Sequence, residues 1–475
     1  MRIPLAPEAR LPDGWAVRLD PRTRRLEGGA ALLGGSPLRL LRLAPRAVDL
    51  LDADRLVVTG PATATLAARL QDAGVAVPEP AGPAPGPGDV TVVVPVRDRA
   101  AGVARLLAAL RADPDTAGLR VLVVDDGSAD APALAAAAGG AEVLRHDRSR
   151  GPAAARNTGL RATTTPAVAF LDSDCVPRPG WLGELLPHLA DPRLAVVAPR
   201  ITALPATRPG WVTPYETAVS ALDMGPRPGP VAPLSGLSYL PSAALLARRT
   251  AVGEGFDAGM RVAEDVDLVW RLAAAGWRVR YEPAARVDHE HPSSTVAWLR
   301  RRAVYGTGAA PLAARHGRAV APVVISPWSA AALVLAGGGG RAGRVLAAAV
   351  LGDATVRLAH RLAGPGRRAP YGLAAALVLR GTAAAGRTLT RSATRHHWPL
   401  TAVAALVSRR ARRAALAVAA ADAVLAWWPH RADVGPLRFA AARRLEDLAY
   451  GAGLWAGALR RRDPSALLPA SPPRV

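Results

Sequence analysis

Continuous apolar runs alternate with Ala-rich segments from Val90 onward, and this alternation constrains the fold more than any other feature of the sequence. Residues 90–95 (VTVVVP) and 119–124 (LRVLVV) are mostly apolar, which is typical of strands buried on both faces of a parallel sheet. The stretch 100–112 between them predicts a helix. Similar segments follow at 141–146, 151–162 and 167–174. The order predicts an α/β domain in which parallel strands are joined by right-handed crossovers.

Carboxylates follow two of the predicted strands. Asp125 and Asp126 come after the second run, and Asp172 and Asp174 come after the run AVAFL. Ligands of parallel sheets bind at the carboxyl ends of the strands, so we expect these acids to share one site. Asp126 could accept hydrogen bonds from a ribose or a base. Asp172 and Asp174 could share Mg²⁺ or Mn²⁺ with a diphosphate. The alternative is that these acids cap the helices that follow.

Two more clusters lie where a strand or loop meets a helix. Residues 95–98 (PVRD) follow the first strand, and by themselves they are typical of a plain turn. Glu264 and Asp265 open a helix with an apolar face. Acids in a first helical turn are stabilised by the helix dipole, which is one explanation for them. The other is that one of them is a general base.

The last polar clusters contain histidines and arginines. Residues 288–291 (DHEH) could complete a metal site through His289, or they could form a polar loop. Residues 298–302 (WLRRR) contain Arg301 and Arg302. An arginine beside a diphosphate would stabilise it as a leaving group, whereas the alternative is a solvated run of charges.

The positive charge lies in the C-terminal part of the chain. From Pro292 onward there are 27 arginines and 6 acids, while the formal net charge of the whole chain is +22. Such a region fits nucleic acid or an anionic membrane surface. Apolar runs between the arginines favour the membrane, and the 4% aromatic content counts against nucleic acid. Residues 319–340 carry no charge and are long enough to cross a bilayer.

Composition also divides the chain. Residues 1–77 predict a small domain of short strands and a helix that ends at Gly74. Residues 78–88 are a Pro/Gly-rich linker, 89–310 form the α/β domain, and 311–475 form a helical, membrane-associated region.

Cys175 is the single cysteine, so a disulfide framework is excluded and a reducing cytosol is expected. The first residues contain no apolar stretch typical of a secretory signal. The expected location is therefore the cytoplasmic face of the cell membrane.

Taken in order, the segments PVRD, VVDDGSAD, RGPAAARNTGL, FLDSD, AEDVDLVWRL and the late histidine resemble glycosyltransferase family two over residues 90–305. The resemblance implies a GT-A fold, a UDP-sugar donor and inversion at the anomeric carbon. It implies nucleoside contacts at Pro95, Arg97, Asp126 and Arg156; diphosphate and metal contacts at Asp172 and Asp174; a further metal contact at His289; and a base at Asp265 beside Glu264. Processive synthases of this family carry Gln-x-x-Arg-Trp after the base. WLRRRAVYG stands here instead, which argues against long-chain synthesis.

Four longer segments lie along the chain: LDPRTRRLEGGAALLGGSPLRLLRL, FLDSDCVPRPGWL, PSAALLARR and RVAEDVDLVWRLAAAGWRVRYEPAARV. By these segments the whole chain also resembles a narrower group, the glycosyltransferases of the mycofactocin system. That resemblance implies transfer of glucose from UDP-glucose onto a peptide-derived redox cofactor, premycofactocin, with a short β-linked glucan as product. The N-terminal segment resembles winged-helix modules that recognise precursor peptides. A docking or structural extension is the alternative for that segment.

Competing functions come from the same family and from other classes of protein. A polysaccharide or lipid glycosyltransferase of the same family would use the same motifs on another acceptor. A nucleotidyltransferase usually needs a Gly-rich loop with a basic residue, and PVRDRAAG supplies none convincingly. An inactive peptide-binding scaffold would have no need of intact DDGS, DSD and ED clusters. Pyrophosphate release would identify the nucleotidyltransferase, and UDP release the glycosyltransferase.

Overall fold

The structure, a computed structural model, describes residues 1–51 and 53–471. These residues form two compact units, Met1–Pro209 with Val219–His291 and Gly210–Ala218 with Pro292–Val475. Residue 52 of the predicted N-terminal domain and residues 472–475 of the predicted C-terminal region lie outside the described residues.

The first unit begins with a small α+β module. Its strands are β1 (Ala16–Leu19), β2 (Arg24–Leu26), β3 (Ala31–Gly34), β4 (Arg39–Arg42), β5 (Arg55–Val57) and β6 (Ala76–Glu79), and its helices are α1 (Pro45–Asp49) and α2 (Pro61–Asp72). The strands form two antiparallel sheets, in the orders β5-β1-β6 and β2-β3-β4. Trp15, Leu32, Leu56 and Leu70 fill its core. A strand does follow Gly74, but it includes the first two residues of the predicted linker. The likeness to winged-helix modules stays a prediction.

The module is fixed to the rest of its unit by a buried arginine. The Arg278 guanidinium lies 2.6 Å from a carboxylate oxygen of Asp72, at the end of α2, and 2.9 Å from one of Asp191. Asp191 is buried and also accepts a hydrogen bond from the amide of Gln71. Buried charges of this kind are stable only when they are paired, so these contacts tie the module to the larger sheet.

The larger sheet of the first unit carries the site. Its strands are β7 (Val90–Val96), β8 (Arg120–Asp125), β9 (Glu142–Arg145), β10 (Ala167–Leu171), β11 (Cys175–Pro177), β12 (Leu194–Ala203), β13 (Gly229–Pro230), β14 (Ala244–Arg248) and β15 (Arg278–His289). Its helices are α3 (Ala100–Ala112), α4 (Ala131–Ala138), α5 (Pro152–Ala162), α6 (Trp181–Leu185), α8 (Arg249–Val252) and α9 (Glu264–Ala274). The predicted strands and helices between residues 90 and 174 are all present. Every residue of β7 is buried, as expected for a central strand.

The sheet is mixed, not parallel throughout. Among the described residues its order is β11-β15-β12-β14-β10-β7-β8-β9, with β13 beside β15. Strands β10, β7, β8 and β9 are parallel as predicted, but β14 runs antiparallel to both β10 and β12. Strand β11 pairs antiparallel with β15, so that Cys175 lies opposite His289. This pairing brings the DSD turn next to the histidines at the end of β15.

The second unit is helical. Its helices are α7 (Thr213–Ala218), α10 (Thr295–Thr307), α11 (Ala309–His316), α12 (Pro327–Gly338), α13 (Gly340–Leu362), α14 (Tyr371–Arg391), α15 (Trp398–Val407), α16 (Arg409–Trp427) and α17 (Pro436–Arg461). Besides the segment Gly210–Ala218, the unit contains the chain from Pro292 onward, earlier than the predicted boundary at 311, because α10 packs closely along α17. At that crossing Gly306 and Gly453 leave no room for a side chain.

Residues 319–340 do not form one continuous helix. A short 3₁₀ turn reaches Val320, an extended stretch follows, and α12 covers only 327–338. Within the residues that the structure describes, no helix combines the length and the apolar character needed to cross a membrane.

Candidate active site

A cleft of about 320 Å³ lies at the carboxyl ends of β7, β8 and β10, wholly within the first unit. Six residues predicted from the sequence line it: Pro95, Arg97, Asp126, Arg156, Asp172 and Asp174. The other lining residues are Val96, Arg99, Ser149, Gly151, Pro152, Ala155 and Ser173. The structure therefore brings the three acidic side chains of two separate motifs to one cavity, as expected for ligand binding at parallel strand ends.

The Asp126 carboxylate is fully engaged by neighbouring groups. It accepts hydrogen bonds from the His146 ring at 2.8 Å, the Ser149 hydroxyl at 2.7 Å and the backbone N–H groups of Arg150 and Gly151 at 2.7 and 2.8 Å. Burial by itself raises the pKa of Asp126, but these donors outweigh it and lower the pKa. A carboxylate offers about four acceptor positions, so Asp126 holds the 146–151 loop against the cleft.

Gly127 makes this loop possible. Its φ of +74° is a left-handed conformation that glycine adopts without strain. A Cβ at this position would lie 2.7 Å from the backbone nitrogen of Ser149. The sequence pattern alone did not predict that His146 and Ser149 bond to Asp126. The polar run HDRSRG before α5 was the available signal, since a buried strand end needs polar partners.

Arg156 connects two motifs inside the protein. Its side chain is buried, and its guanidinium lies 2.6 Å from an oxygen of Asp172 and 3.0 Å from an oxygen of Glu264. Burial alone would lower the pKa of Arg156, but the negative charges of Asp172 and Glu264 raise it above its usual value. Arg156 lines the cleft as predicted, and in addition it joins the end of β10 to the start of α9.

Asp265 lies in the first turn of α9, beside Glu264. Ala263, the residue just before the helix, has a φ of +64°, a left-handed conformation that costs a non-glycine residue about 1 kcal/mol. The Asp265 carboxylate accepts hydrogen bonds from the backbone N–H groups of Ser242 at 3.1 Å and Val266 at 2.8 Å. Burial raises the pKa of Asp265 above that of an ordinary aspartate. A raised pKa makes a carboxylate a stronger base, which fits the role predicted for Asp265.

Asp174 and His289 meet at the rim of the cleft. An Asp174 oxygen lies 3.3 Å from Nε2 of His289, because β11 and β15 pair at this end. The other Asp174 oxygen lies 3.4 Å from the Arg99 guanidinium, which is also 4.0 Å from Glu290. In the described part of the chain, no group of three or more His, Cys, Asp and Glu side chains surrounds a common point. The three predicted metal ligands, Asp172, Asp174 and His289, therefore do not surround one point: Asp172 is paired with Arg156, and only Asp174 and His289 lie beside each other.

The structure gives Arg302 a different place from the one predicted. Arg302 belongs to α10 of the second unit and is buried there, with its guanidinium 2.5 Å from Glu216 and 3.6 Å from Glu446. Its Nη2 group donates to both oxygens of Glu216, so the structure gives Arg302 a packing role in the second unit, which argues against the predicted contact with the diphosphate. Arg301, the next residue toward the N-terminus, is partly exposed on the same helix. Its predicted contact with the diphosphate stays a prediction.

Glu446 is the carboxylate that pairs with both Arg302 and Arg395 in the second unit. Burial alone would raise its pKa, but Arg395 and Arg302 lower the pKa of Glu446 to about 2. The same carboxylate accepts a 2.6 Å hydrogen bond from the Tyr215 hydroxyl. These contacts join α7, α10 and α17, and they have a packing role.

Comparisons with known proteins agree with the geometry of the first unit. A family model described as "Glycosyl transferase family 2" matches residues 91–248. A pre-mycofactocin glycosyltransferase of Mycobacterium tuberculosis is 48% identical over 474 residues, which are 97% of this chain and 98% of the relative. An uncharacterized glycosyltransferase of Mycobacterium bovis is 33% identical over 191 residues, 40% of this chain and 81% of the relative.

A solved mannosyltransferase from Pyrobaculum calidifontis, in complex with GDP-Man and Mn²⁺, is 24% identical and covers 65% of this chain and 84% of its own, with a TM-score of 0.38. The similarity to the relative from M. tuberculosis extends over nearly the whole of both chains. The α/β domain is thus of the GT-A type, and the chain belongs to glycosyltransferase family 2, in the group that includes the pre-mycofactocin glycosyltransferase of M. tuberculosis.

Proposed function

We propose that this glycosyltransferase moves glucose from UDP-glucose to a hydroxyl group of a peptide-derived redox cofactor, premycofactocin, with inversion at the anomeric carbon and with the help of Mn²⁺ or Mg²⁺. A short β-linked glucan is the expected product. The acceptor rests on the name of the relative that is 48% identical over nearly the full length of both chains. The absence of a Gln-x-x-Arg-Trp sequence in the WLRRRAVYG region favours a short product.

One observation carries the proposal. Arg156, which lines the cleft, pairs with Asp172 on one side and Glu264 on the other, so one side chain links the donor motif to the base motif. Glu264 and Asp265 are not themselves among the lining residues of the cleft. A single displacement needs the diphosphate site and the base to be close, because both substrates must meet at one carbon atom. It needs no protein nucleophile and no carboxylic acid to protonate the leaving group, unlike glycoside hydrolysis.

Different residues of the chain have different roles in this displacement. Asp265 accepts the proton of the acceptor hydroxyl while that oxygen bonds to the anomeric carbon and the bond to the diphosphate breaks. Arg156 keeps Asp172 and Glu264 in place beside the reacting groups. Pro95, Arg97 and Asp126, with the loop that Asp126 holds, form the wall against which the nucleoside binds.

The cation ligands that fit best are Asp174 and His289. An aspartate oxygen and an imidazole nitrogen suit Mn²⁺, whereas Mg²⁺ prefers oxygen alone. When bound, the cation neutralises charge on the diphosphate as it leaves. Because two protein ligands do not complete a coordination shell, we infer that the donor diphosphate supplies others and that the cation binds together with the nucleotide.

The test is an assay of the purified full-length chain with UDP-glucose, UDP-galactose, GDP-mannose and the acceptor, with Mn²⁺, Mg²⁺ or EDTA. We expect hexose additions to the acceptor by mass spectrometry only with UDP-glucose and a divalent cation, and a β-linkage by NMR. Pyrophosphate in place of UDP among the products would indicate a nucleotidyltransferase. Transfer to a lipid or polysaccharide but not to the peptide-derived acceptor would refute the acceptor, and binding without turnover would identify a scaffold.

A further inference from the structure

Helix α15 is the most apolar element of the second unit, and little of the unit covers it. None of its residues, Trp398–Val407, is buried. Leu406 and Val407 are 81% and 80% exposed. Large side chains this exposed are rarely grouped on a soluble surface, so an apolar helix without cover indicates a binding surface.

The exposed side chains of α15 point in one direction. Leu400, Val403 and Val407 follow one another at spacings of three and four residues, which places them on one face of a helix, and Leu406 lies beside them. All four are more than half exposed. Together they form an apolar strip of about 10 Å, since Leu400 and Val407 are seven residues apart and a helix rises about 1.5 Å per residue.

Arginines follow this strip at once. Only Ser408 separates α15 from α16, and the first turns of α16 carry Arg409, Arg410, Arg412 and Arg413, all of them exposed. Residues 354–421 contain twelve arginines and no aspartate or glutamate. The next acid, Asp422, is buried and paired with Arg443 and Arg444. Within residues 354–422, therefore, no unpaired carboxylate is present to neutralise the arginine cluster 409–413.

We propose that α15 and the arginine cluster 409–413 bind an anionic lipid surface, with α15 lying in the interface and the arginines on lipid phosphates. An interfacial helix inserts its apolar side chains at the boundary between headgroups and acyl chains, while arginines bind the headgroups through their charge. The long side chains of the arginines can extend toward the lipid headgroups while the apolar residues of α15 lie deeper.

A lipid surface fits better than a second copy of this chain. In a symmetric dimer the same patch would meet itself, so the arginine clusters of both copies would come together and repel each other. A lipid surface that carries negative charge satisfies the apolar strip and the arginines at the same time. This inference is independent of the donor and acceptor proposed above.

The experiment is sedimentation of the full-length protein with vesicles of phosphatidylcholine alone and of phosphatidylcholine mixed with phosphatidylglycerol. We expect binding to the mixed vesicles only, weakened by salt. The variant L406Q/V407Q should bind at least about tenfold more weakly, because two exposed apolar side chains are lost. The variant R409Q/R413Q should lose affinity by about fivefold for each arginine.

Matched controls change the same residue types elsewhere in the unit. Leu437→Gln removes an equally exposed leucine at the start of α17, and R367Q/R368Q removes an exposed arginine pair from the loop before α14. Both should bind vesicles as the parent does, and circular dichroism should show every variant folded. Equal binding to neutral and mixed vesicles, or equal losses in the controls, would overturn the proposal. A dimer that L406Q/V407Q dissociates, without any vesicle binding, would assign the patch to a second copy.

Discussion

The guanidinium group of Arg156 donates a 3.0 Å hydrogen bond to Glu264, a residue 108 positions further along the chain. The same group also bonds to Asp172 at 2.6 Å. One buried cation therefore pairs with two carboxylates from different motifs, the buried Glu264 and the partly exposed Asp172. Its removal leaves Glu264 uncompensated in a poorly hydrated place, which is more costly than the loss of the contacts alone.

We expect Arg156→Met to destabilise the first unit by about 3 kcal/mol, because it leaves Glu264 buried and unpaired and removes the partner of the partly exposed Asp172. Thermal and urea unfolding would measure this change. Arg156→Lys retains the charge but cannot contact both carboxylates, so it should cost less. The double variant R156M/E264Q should be more stable than the sum of the single changes predicts, since it removes one of the stranded charges. Simple additivity would show that the pair is not coupled.

Asp265→Asn should abolish most of the transfer activity while the fold is retained. The amide keeps the shape of the side chain and can accept one of the two hydrogen bonds, which go to different oxygens of Asp265, but it cannot take a proton. A general base contributes about 10²–10⁴-fold, so kcat should fall by that factor. Glu254→Gln, an exposed carboxyl change in the same unit, is the control and should leave kcat unchanged. Full activity of Asp265→Asn would refute the base assignment.

The pH dependence should follow the ionisation of Asp265. The base must be deprotonated to act, so kcat/KM should fall as pH decreases through its pKa. Burial raises that pKa, which moves the acid limb of the profile above the usual value of about 4. Arg156 acts in the opposite direction and lowers the pKa of Asp265. Arg156→Met should therefore shift the acid limb to higher pH, whereas a shift to lower pH would contradict this arrangement.

The sequence predicts the ends of the parallel strands well, and the reason is local. A buried strand leaves an apolar run in the sequence, and the acids that follow must lie at its carboxyl end. Asp126, Asp172 and Asp174 were placed at one site by this reasoning alone, and all three line the cleft. Pro95 and Arg97 also line the cleft, but it is the resemblance to the family that indicates them, since PVRD by itself is typical of a plain turn.

Contacts between distant segments could not be predicted in this way. The short run ALLAR does not show that β14 reverses the sheet, because strand direction depends on pairing with β10 and β12. The engagement of Asp126 by His146 depends on the path of a loop. Arg302 looks like part of a solvated charge run until Glu216, 86 residues earlier in the chain, is found beside it. Each depends on long-range packing.

Cation binding should depend on the nucleotide. If Asp174 and His289 supply two ligands, as proposed, we expect Mn²⁺ alone to bind weakly and to bind at least about tenfold more tightly in the presence of UDP. The coupling is reciprocal, and Mn²⁺ should tighten UDP by the same factor. Calorimetry with each ligand, alone and with the other, would measure both. Asp174→Asn should remove the coupling, and Glu142→Gln, at the exposed edge strand, should keep it. Tight Mn²⁺ binding without UDP would refute a shared site.

Arg301 and Arg302 are adjacent and should nevertheless respond differently to the same substitution. Arg302→Met leaves Glu216 and Glu446 without a buried partner, so it should lower the unfolding free energy of the second unit by about 3 kcal/mol or more. It should leave the Kd for UDP unchanged, because the guanidinium of Arg302 is already paired with Glu216. Arg301→Met should change stability by less than about 0.5 kcal/mol, as is usual for a partly exposed position. If Arg301 contacts the diphosphate as the sequence predicts, the same variant should weaken UDP binding about tenfold, through loss of a charge-assisted hydrogen bond. Weaker UDP binding by Arg302→Met at full stability would restore Arg302 to the donor site.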